Sequence, residues 1–378
     1  MRRRPNRWQF AARKPFTGRQ RAIAHPCLWY CGAVALLWAL VTLWGRVHNA
    51  SIRVVARLCS NGAAFVSRLF PIPLSEWLVF LAVAALVALP VWGAVRRGKR
   101  GLAKGLCRSL ALLLTIGLWF SLFWGVNYDA APLAQQLGLE VKPRSVDELY
   151  AAAQTLLEDA NRLADQVERD GGGDCAAGDF SAMSQDLWED YQTLGQQAPL
   201  YRSAVARRPK QALVLGPLMP WVGIAGYYFP FSAEPVVGPT VPTHTAYNIA
   251  HELAHSLGVA PEDEAGFSAY LACMESEDPL IQYSGALNAY IYASNALYDY
   301  APDRANDLSA QVNENLRHDI LALNAFLAQF EGPVQQAGDA INDTYLRVQR
   351  QEQGLNSYGN MVDLLMAYLD QQGELGGS

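Results

Sequence analysis

Two histidines and a glutamate with catalytic spacing lie in a His-Glu-Leu-Ala-His segment at residues 251–255. Because a helix repeats every 3.6 residues, His251 and His255 would share one face, where two imidazoles can bind one zinc ion. Glu252 would then reach the open side of the metal, where a water is activated. Ala, Leu and Ile around the motif favour a helix, and Gly258 is well placed to end it. The pattern predicts a zinc site with Glu252 as its general base.

A third zinc ligand is expected in the acidic segment that follows the motif. Pro261 and the three acids after it predict a helix start, because acidic side chains favour the positive end of the helix dipole. We predict Glu264 as the ligand, since Glu followed by Ala and an apolar helix resembles the third-ligand segment of several zinc peptidases. Glu262 is the alternative. The competing interpretation is a buried helix whose two histidines are held by hydrogen bonds alone.

The charge of the chain is divided sharply between two parts. Residues 1–126 contain 18 of the 30 Lys and Arg residues and one acid, Glu76, whereas residues 127–378 contain the other 12 and 34 acids. This division indicates a basic membrane anchor joined to an acidic soluble domain. We expect no nucleic-acid partner, because a basic run beside an apolar segment is more often a topology signal.

Three uncharged apolar segments of the first part are long enough to cross a bilayer as helices. They are residues 27–45, 77–95 and 109–126. A cleaved signal peptide is the alternative for the first segment, and the core of a soluble protein is the alternative for all three. Dense positive charge around the segments favours transmembrane helices, so we expect the lipid bilayer as a partner.

Basic residues also predict the orientation of this anchor. The tail at residues 1–26 carries eight of them and the 96–108 loop carries six, so the positive-inside rule places both in the cytoplasm. Residues 46–76 carry four arginines among apolar side chains, which favours a helix lying on the membrane surface. The rest of the chain would lie outside the bacterial cytoplasmic membrane.

The extracytoplasmic domain, residues 127–372, is predicted to be mainly α with a small β element, followed by a disordered tail at 373–378. Ser145 and Glu148 form a capping box that opens a long helix to about Arg169. Residues 226–231 and 235–237 have the composition of short strands. By analogy with zinc peptidases, such a strand precedes the active helix and pairs with the substrate backbone. Further helices are predicted at 184–194, 280–300, 304–330, 333–350 and 357–371.

The order of these features resembles a family of bacterial membrane proteins, domain of unknown function 3810, from about Cys27 to Leu369. The resemblance implies three spans, an extracytoplasmic domain with the His-Glu-x-x-His motif and a zinc metallopeptidase without a known substrate. Gly266 departs from the pattern, which commonly has Asn there. The matching segments are residues 124–128, 226–231, 251–255, 262–265, 270–273, 283–285, 342–346 and 357–359.

The sequence therefore predicts a membrane-anchored zinc metallopeptidase with a mostly helical, zincin-like domain that cleaves an unknown envelope or extracytoplasmic peptide or protein. Zinc held by His251, His255 and Glu264 would lower the pKa of a water and polarise the scissile carbonyl. Glu252 would accept the proton and pass it to the leaving amine.

A second donor to the oxyanion is also needed, and Tyr283 and Tyr358 are the candidates. Two other classes of function remain open, a zinc-binding scaffold without turnover and an envelope assembly factor whose zinc is structural. The presence of Glu252 favours the enzyme, because a structural site needs the histidines but not that carboxylate.

Overall fold

The structure is a computed structural model and describes residues 26–336, 338, 340 and 358–375. Almost all of the predicted basic tail, most of the predicted 333–350 helix and residues 376–378 of the predicted disordered tail lie outside these ranges. Within them the fold is mainly helical, as predicted, with one small sheet. The helices are α1 (Pro26–Val47), α2 (Asn49–Ser67), α3 (Leu74–Phe123), α4 (Leu133–Leu137), α5 (Val146–Ala164), α6 (Phe180–Gln197), α7 (Pro242–Ser256), α8 (Glu262–Glu275), α9 (Pro279–Tyr300), α10 (Pro302–Ser309), α11 (Glu314–Ala328) and α12 (Tyr358–Gln372).

Two helices of the described chain, α1 and α3, are long and apolar enough to span a membrane by length and composition. Three spans were predicted, but the second and third predicted segments belong to the single 50-residue helix α3. The chain reverses direction inside α3, where Arg97 and Gly98 leave the helical region and Gly98 has a φ of +57°. The Ser109 hydroxyl donates to the Leu86 carbonyl at 3.0 Å, so residues 74–96 and 99–123 form a closely packed hairpin. We call these segments the first arm and the second arm.

Helix α1 packs against the second arm, and the two run in the same direction. The hydroxyls of Tyr30 and Thr115 lie 2.9 Å apart, and the Trp38 indole donates to the Ser121 hydroxyl at 2.7 Å. Because residue numbers rise together along both segments, the start of α1 and the reversal within α3 lie at the same end of the bundle. The opposite end faces the helical domain.

Helix α2 is amphipathic, as expected for the 46–76 segment. Its face of small residues, Ala56, Ser60, Ala64 and Ser67, is buried. Large apolar side chains on its other sides are exposed, among them Val54, Val55, Leu58, Phe65 and Val66. The buried face packs on the domain, where the Ser60 hydroxyl lies 3.1 Å from the Tyr228 hydroxyl.

Local capping explains where the helices of the domain begin. The predicted capping box is confirmed, because the Ser145 side chain accepts from the Glu148 N–H and the Glu148 carboxylate accepts from the Ser145 N–H. Helix α5 nevertheless ends at Ala164 rather than Arg169, and the Arg169 guanidinium donates to the Ala164 carbonyl at this end while it also binds the buried Asp319 carboxylate. The predicted 304–330 helix is likewise two helices, because Asn313 caps the start of α11.

The small sheet has the strand order β1 (Lys210–Gln211), β3 (Glu234–Val237), β2 (Gly226–Phe229). Strand β3 is central and buried, and it pairs in parallel with β1 and antiparallel with β2. The predicted extended segments at 226–231 and 235–237 are confirmed as β2 and β3. In the described residues β2 pairs only with β3, so its other edge is free of strand partners.

Buried carboxylates join the anchor to the domain. Glu76, the single acid of residues 1–126, is fully buried and accepts from the backbone N–H groups of Leu213, Val214 and Leu215. Glu234 in β3 accepts from the N–H groups of Leu74 and Ser75, which satisfies open donors at the start of α3. Lys210 pairs with Glu234, and both side chains are almost completely buried. Sheet and hairpin are therefore held in one arrangement.

We expect Lys210→Met to destabilise the full-length protein strongly, because it leaves the Glu234 carboxylate buried without its cation. Breaking one partner of a buried ion pair costs about 3–5 kcal/mol. The control is Lys142→Met, since Lys142 pairs with Asp370 at the exposed surface, where such a pair contributes about 0–1 kcal/mol. Thermal unfolding in detergent should show a large loss only for Lys210→Met. Equal unfolding temperatures for the two variants would contradict this account of the junction.

Candidate metal centre

Helix α7 carries the His-Glu-x-x-His segment, as the sequence predicts. Pro242 occupies the first turn, where its missing N–H costs no hydrogen bond. Ile249, Ala250 and Leu253 have no exposed surface and fix the helix in the core. The helix ends just before Gly258, whose φ of +98° is a left-handed conformation that favours glycine. The motif is therefore held on a rigid, buried helix.

The side chains of His251, His255 and Glu262 converge on one point. The Glu262 Oε2 atom lies 3.1 Å from His251 Nε2 and 3.5 Å from His255 Nε2. Ligand atoms about 2.0–2.1 Å from a tetrahedral zinc ion are separated by about 3.3 Å, so these spacings fit that ion. The donor set of two imidazoles and one carboxylate is also that of catalytic zinc sites. These residues could hold zinc and leave a fourth position open.

The orientation of His255 is set by a backbone contact. Its Nδ1 atom lies 2.7 Å from the Val259 carbonyl, which can only accept, so Nδ1 carries the hydrogen. The Nε2 atom is thereby left as the metal-binding nitrogen. The imidazole also packs edge-on against Trp124, with ring centroids 5.5 Å apart. Both contacts hold the imidazole ring in one orientation, independently of a bound ligand.

The structure does not bring Glu264, the predicted third ligand, to the two histidines. Its Oε1 atom accepts from the Leu133 N–H at 2.8 Å, which ties α8 to the start of α4. Burial raises the pKa of Glu264 to about 7. Glu262 and Glu264 are two residues apart on a helix and therefore project about 200° apart. Only one of them can face α7, and it is Glu262, the alternative named from the sequence.

The ionisation of each side chain in the cluster depends on its neighbours. Burial opposes the charge of Glu262, yet the two histidines hold the pKa of this carboxyl well below its usual range. Burial also lowers the pKa of His251. For His255 the effect of burial is outweighed by the neighbouring Glu262, which raises the pKa to about 9. An ionised carboxylate between two imidazoles is an arrangement that a divalent cation can stabilise.

Glu252 lies beside this cluster but is not part of it. The residue is 5% exposed, and its Oε2 atom has no hydrogen-bond partner among the described residues. Burial raises the pKa of Glu252 to about 8. Buried carboxylate oxygens are normally hydrogen-bonded. The unpaired Oε2 atom of Glu252 therefore indicates that the site accommodates a ligand or a water molecule.

Gly226 at the start of β2 allows the strand to approach Glu252. A Cβ atom at this position would lie 2.6 Å from Glu252 Oε1, closer than two such atoms can pack. We did not single out this glycine from the sequence, although a glycine within a strand often marks a close approach. The edge strand and the carboxylate consequently face the same cavity.

That cavity, of about 450 Å³, opens between α7 and the free edge of β2. Trp124 and Tyr128 line it from the segment that follows the second arm, and Asn248 and Tyr292 line it from α7 and α9. The anchor thus supplies part of the wall of the candidate site. The same cavity reaches all members of the site, which are His251, Glu252, His255 and Glu262.

Tyr283, one of the two tyrosines suggested as an oxyanion donor, does not line this cavity. Tyr283 has no exposed surface, and its hydroxyl donates to Asp319 at 2.6 Å within the Arg169–Asp319 ion pair. Its donor is already used in the core, and it does not line the cavity. The side chain of Tyr358 lies outside the described part of the chain.

A second group of possible metal ligands lies in the anchor. The thiols of Cys27, Cys31 and Cys107 fall within 4.8 Å of one another, because α1 packs beside the second arm. Their sequence positions gave no such grouping. All six cysteines lie in the described part of the chain, and none of them forms a disulfide.

Comparison with known proteins places the chain in a family. Residues 53–366 match the family model described as "Protein of unknown function (DUF3810)". The chain belongs to this family. No curated protein and no solved structure matches it. Membership in DUF3810 agrees with the resemblance drawn from the sequence, whereas the activity must be argued from the site itself.

Metal analysis separates the two acids of α8. Glu262→Gln should weaken zinc binding by more than the 10–100-fold that loss of an outer-shell partner costs, because a ligand itself becomes neutral. Glu264→Gln is the matched control, since its amide oxygen can still accept from Leu133. Zinc content after dialysis against a chelator should fall in Glu262→Gln alone. Zinc lost from Glu264→Gln and kept by Glu262→Gln would restore the original sequence assignment.

Proposed function

We propose that this member of DUF3810 is a membrane-anchored zinc metallopeptidase that cleaves a peptide bond in an envelope or extracytoplasmic substrate. The observation that carries the proposal is the Glu252 carboxylate, which is buried with one oxygen unpartnered beside His251, His255 and Glu262. A purely structural metal site requires the three ligands but gives no reason to bury a further acid next to them.

The chemistry follows from the positions of these side chains. A zinc ion at the three ligands would polarise the scissile carbonyl and make a nearby water more acidic. Glu252 accepts the proton of that water and delivers it to the departing amine. Its burial favours this role, because desolvation raises the pKa of the carboxyl and so makes the carboxylate a stronger base.

The oxyanion that develops on the substrate needs a further donor. Asn248 and Tyr292 line the cavity beside the ligands and are the candidate donors, whereas the hydroxyl of Tyr283 is engaged in the core. Burial raises the pKa of Tyr292 to about 12, so its hydroxyl stays protonated and can donate a hydrogen bond.

The free edge of β2 supports a peptide rather than a small molecule as substrate. An extended peptide can add to an exposed strand edge through main-chain hydrogen bonds. Here the edge strand borders the cavity and passes Glu252 at Gly226, so a peptide added to β2 would run beside the general base.

We further propose a topology of three spans with the N-terminus in the cytoplasm. The hairpin of α3 supplies two antiparallel arms, and α1 runs parallel to the second arm. The start of α1 and the basic residues 96–108, which include the reversal inside α3 and are mostly helical, then lie at one end of the bundle, and the positive-inside rule places that end in the cytoplasm. The candidate site lies at the other end, outside the cytoplasmic membrane.

Fusions of alkaline phosphatase, which is active only outside the cytoplasm, test this topology. We expect high activity for a fusion after residue 130 and none for a fusion after residue 103, at comparable protein levels. Activity at residue 103 with none at residue 130 would reverse the orientation. Activity at both would show that the reversal inside α3 does not return across the membrane.

Glu252→Gln tests the enzyme against the scaffold and assembly alternatives. Gln keeps the shape of the side chain but cannot take a proton, so zinc content and stability should be retained. Turnover should fall by roughly 10²–10⁴-fold, as is typical for a general base. The substrate is sought by comparing membrane proteomes of cells with wild type, Glu252→Gln and His251→Ala, where an uncleaved protein should accumulate in both variants.

The metal would be structural if Glu252→Gln behaved like wild type in every cleavage assay and phenotype while His251→Ala showed a defect. The peptidase proposal would then be wrong, and an assembly role would be favoured.

A further inference from the structure

A second cavity, of about 490 Å³, lies between α2 and the domain. Trp124, Tyr228 and His255 line both this cavity and the one that holds the candidate metal centre, so the two share a wall. Its other walls carry three arginines, Arg53 and Arg57 from α2 and Arg207 from the segment before β1. We call it the arginine cavity.

The three guanidinium groups occupy different depths of the arginine cavity. Arg57 is exposed, Arg53 is half-buried and Arg207 is 5% exposed. Burial lowers the pKa of all three, and Arg53 and Arg57 also repel each other. Arginine nevertheless stays protonated at physiological pH, so three positive charges converge on one partly desolvated space.

Neutral groups, rather than acids, accept hydrogen bonds from Arg57 and Arg207 in the described structure. Arg207 donates to the Asn61 side-chain oxygen at 2.8 Å and lies near the Ser256 carbonyl, and Arg57 donates to the Leu200 carbonyl at 3.2 Å. None of the three forms an ion pair with an acid of the described residues. Partly buried cations are ordinarily paired, so these three charges favour an anion in the cavity.

The acid whose charge acts on Arg53 is Glu264, but it does not serve as that anion. Its carboxylate accepts from the Leu133 N–H, and no ion pair joins it to Arg53. No acid of the described residues therefore competes with an external anion for these arginines. Planar guanidinium groups match the oxygens of a phosphate particularly well.

The surroundings of the cavity indicate where such an anion would come from. Helix α2 exposes Val54 and Leu58 beside its two cavity arginines, and Phe123 at the end of the second arm also lines the cavity. An amphiphile could thus place its charged group among the arginines and its chains along the apolar side of α2. The combination is typical of helices that lie at the interface of an anionic membrane.

We propose that the arginine cavity binds the phosphate group of an anionic phospholipid. A bound headgroup would seat α2 against the domain and hold the wall that carries Trp124 and Tyr228 next to His255. This inference requires neither zinc nor peptide cleavage, and it stands or falls independently of both.

Native mass spectrometry of the full-length protein in a neutral detergent tests it. The probes are phosphatidylglycerol and a diacylglycerol with the same acyl chains but no phosphate, with inorganic phosphate titrated as a competitor. Wild type should retain one phosphatidylglycerol, should not retain diacylglycerol and should lose the lipid as phosphate is added. If the protein bound inorganic phosphate but not the lipid, the arginine cavity would be a phosphate site whose ligand is the free ion and not a phospholipid.

The test variant is Arg53→Gln/Arg57→Gln, and the matched control is Arg68→Gln, which removes an exposed arginine at the end of the same helix. We expect binding at least tenfold weaker in the double variant and within twofold of wild type in the control. Arg57→Gln alone changes an exposed position and is used if the double variant does not fold. It should show an intermediate loss of lipid binding.

Three results would overturn the proposal. These are equal lipid retention in wild type and the cavity variants, equal loss in Arg68→Gln, and retention of diacylglycerol as strong as that of phosphatidylglycerol. Arginine-dependent binding of an acidic peptide, with no binding of phosphate or phosphatidylglycerol, would also overturn it and assign the cavity to a peptide.

Discussion

The candidate site depends on the short return of the chain from α7 to α8. Gly258 adopts a left-handed conformation that turns the backbone, and the next residue, Val259, offers its carbonyl to His255. Helix α8 then begins at Glu262, whose carboxylate reaches both imidazoles. With so few residues in the return, the position where α8 starts decides which of its acids faces α7.

This contact also marks the limit of what the sequence could predict. The motif, its helix, the glycine that ends it and the flanking strands all follow from local patterns, and the structure has them. The choice between Glu262 and Glu264 does not, because it depends on the rotation of α8 about its axis, which only tertiary packing determines. The same holds for Tyr283, whose partner Asp319 lies on a distant helix. Gly226 is a local signal that could have been noticed.

The anchor and the domain pack against each other and form one structure. Glu76 and Glu234 bind backbone donors across the junction, and Trp124 packs against both Tyr228 and His255. Composition predicted a basic anchor and an acidic domain, but it could not show that arginines of α2 would meet Arg207, which is remote in sequence. In the proposed arrangement the membrane surface, the arginine cavity and the edge strand adjoin the same metal centre.

X-ray absorption at the zinc edge, on purified wild-type protein loaded with one zinc ion, tests the central claim most directly. The account predicts a shell of nitrogen and oxygen at about 2.0–2.1 Å, with the scattering pattern of two imidazoles. Sulfur at about 2.3 Å would instead place the metal at Cys27, Cys31 and Cys107. That result, or the failure of the protein to retain any zinc, would contradict the assignment of His251, His255 and Glu262 as the metal centre.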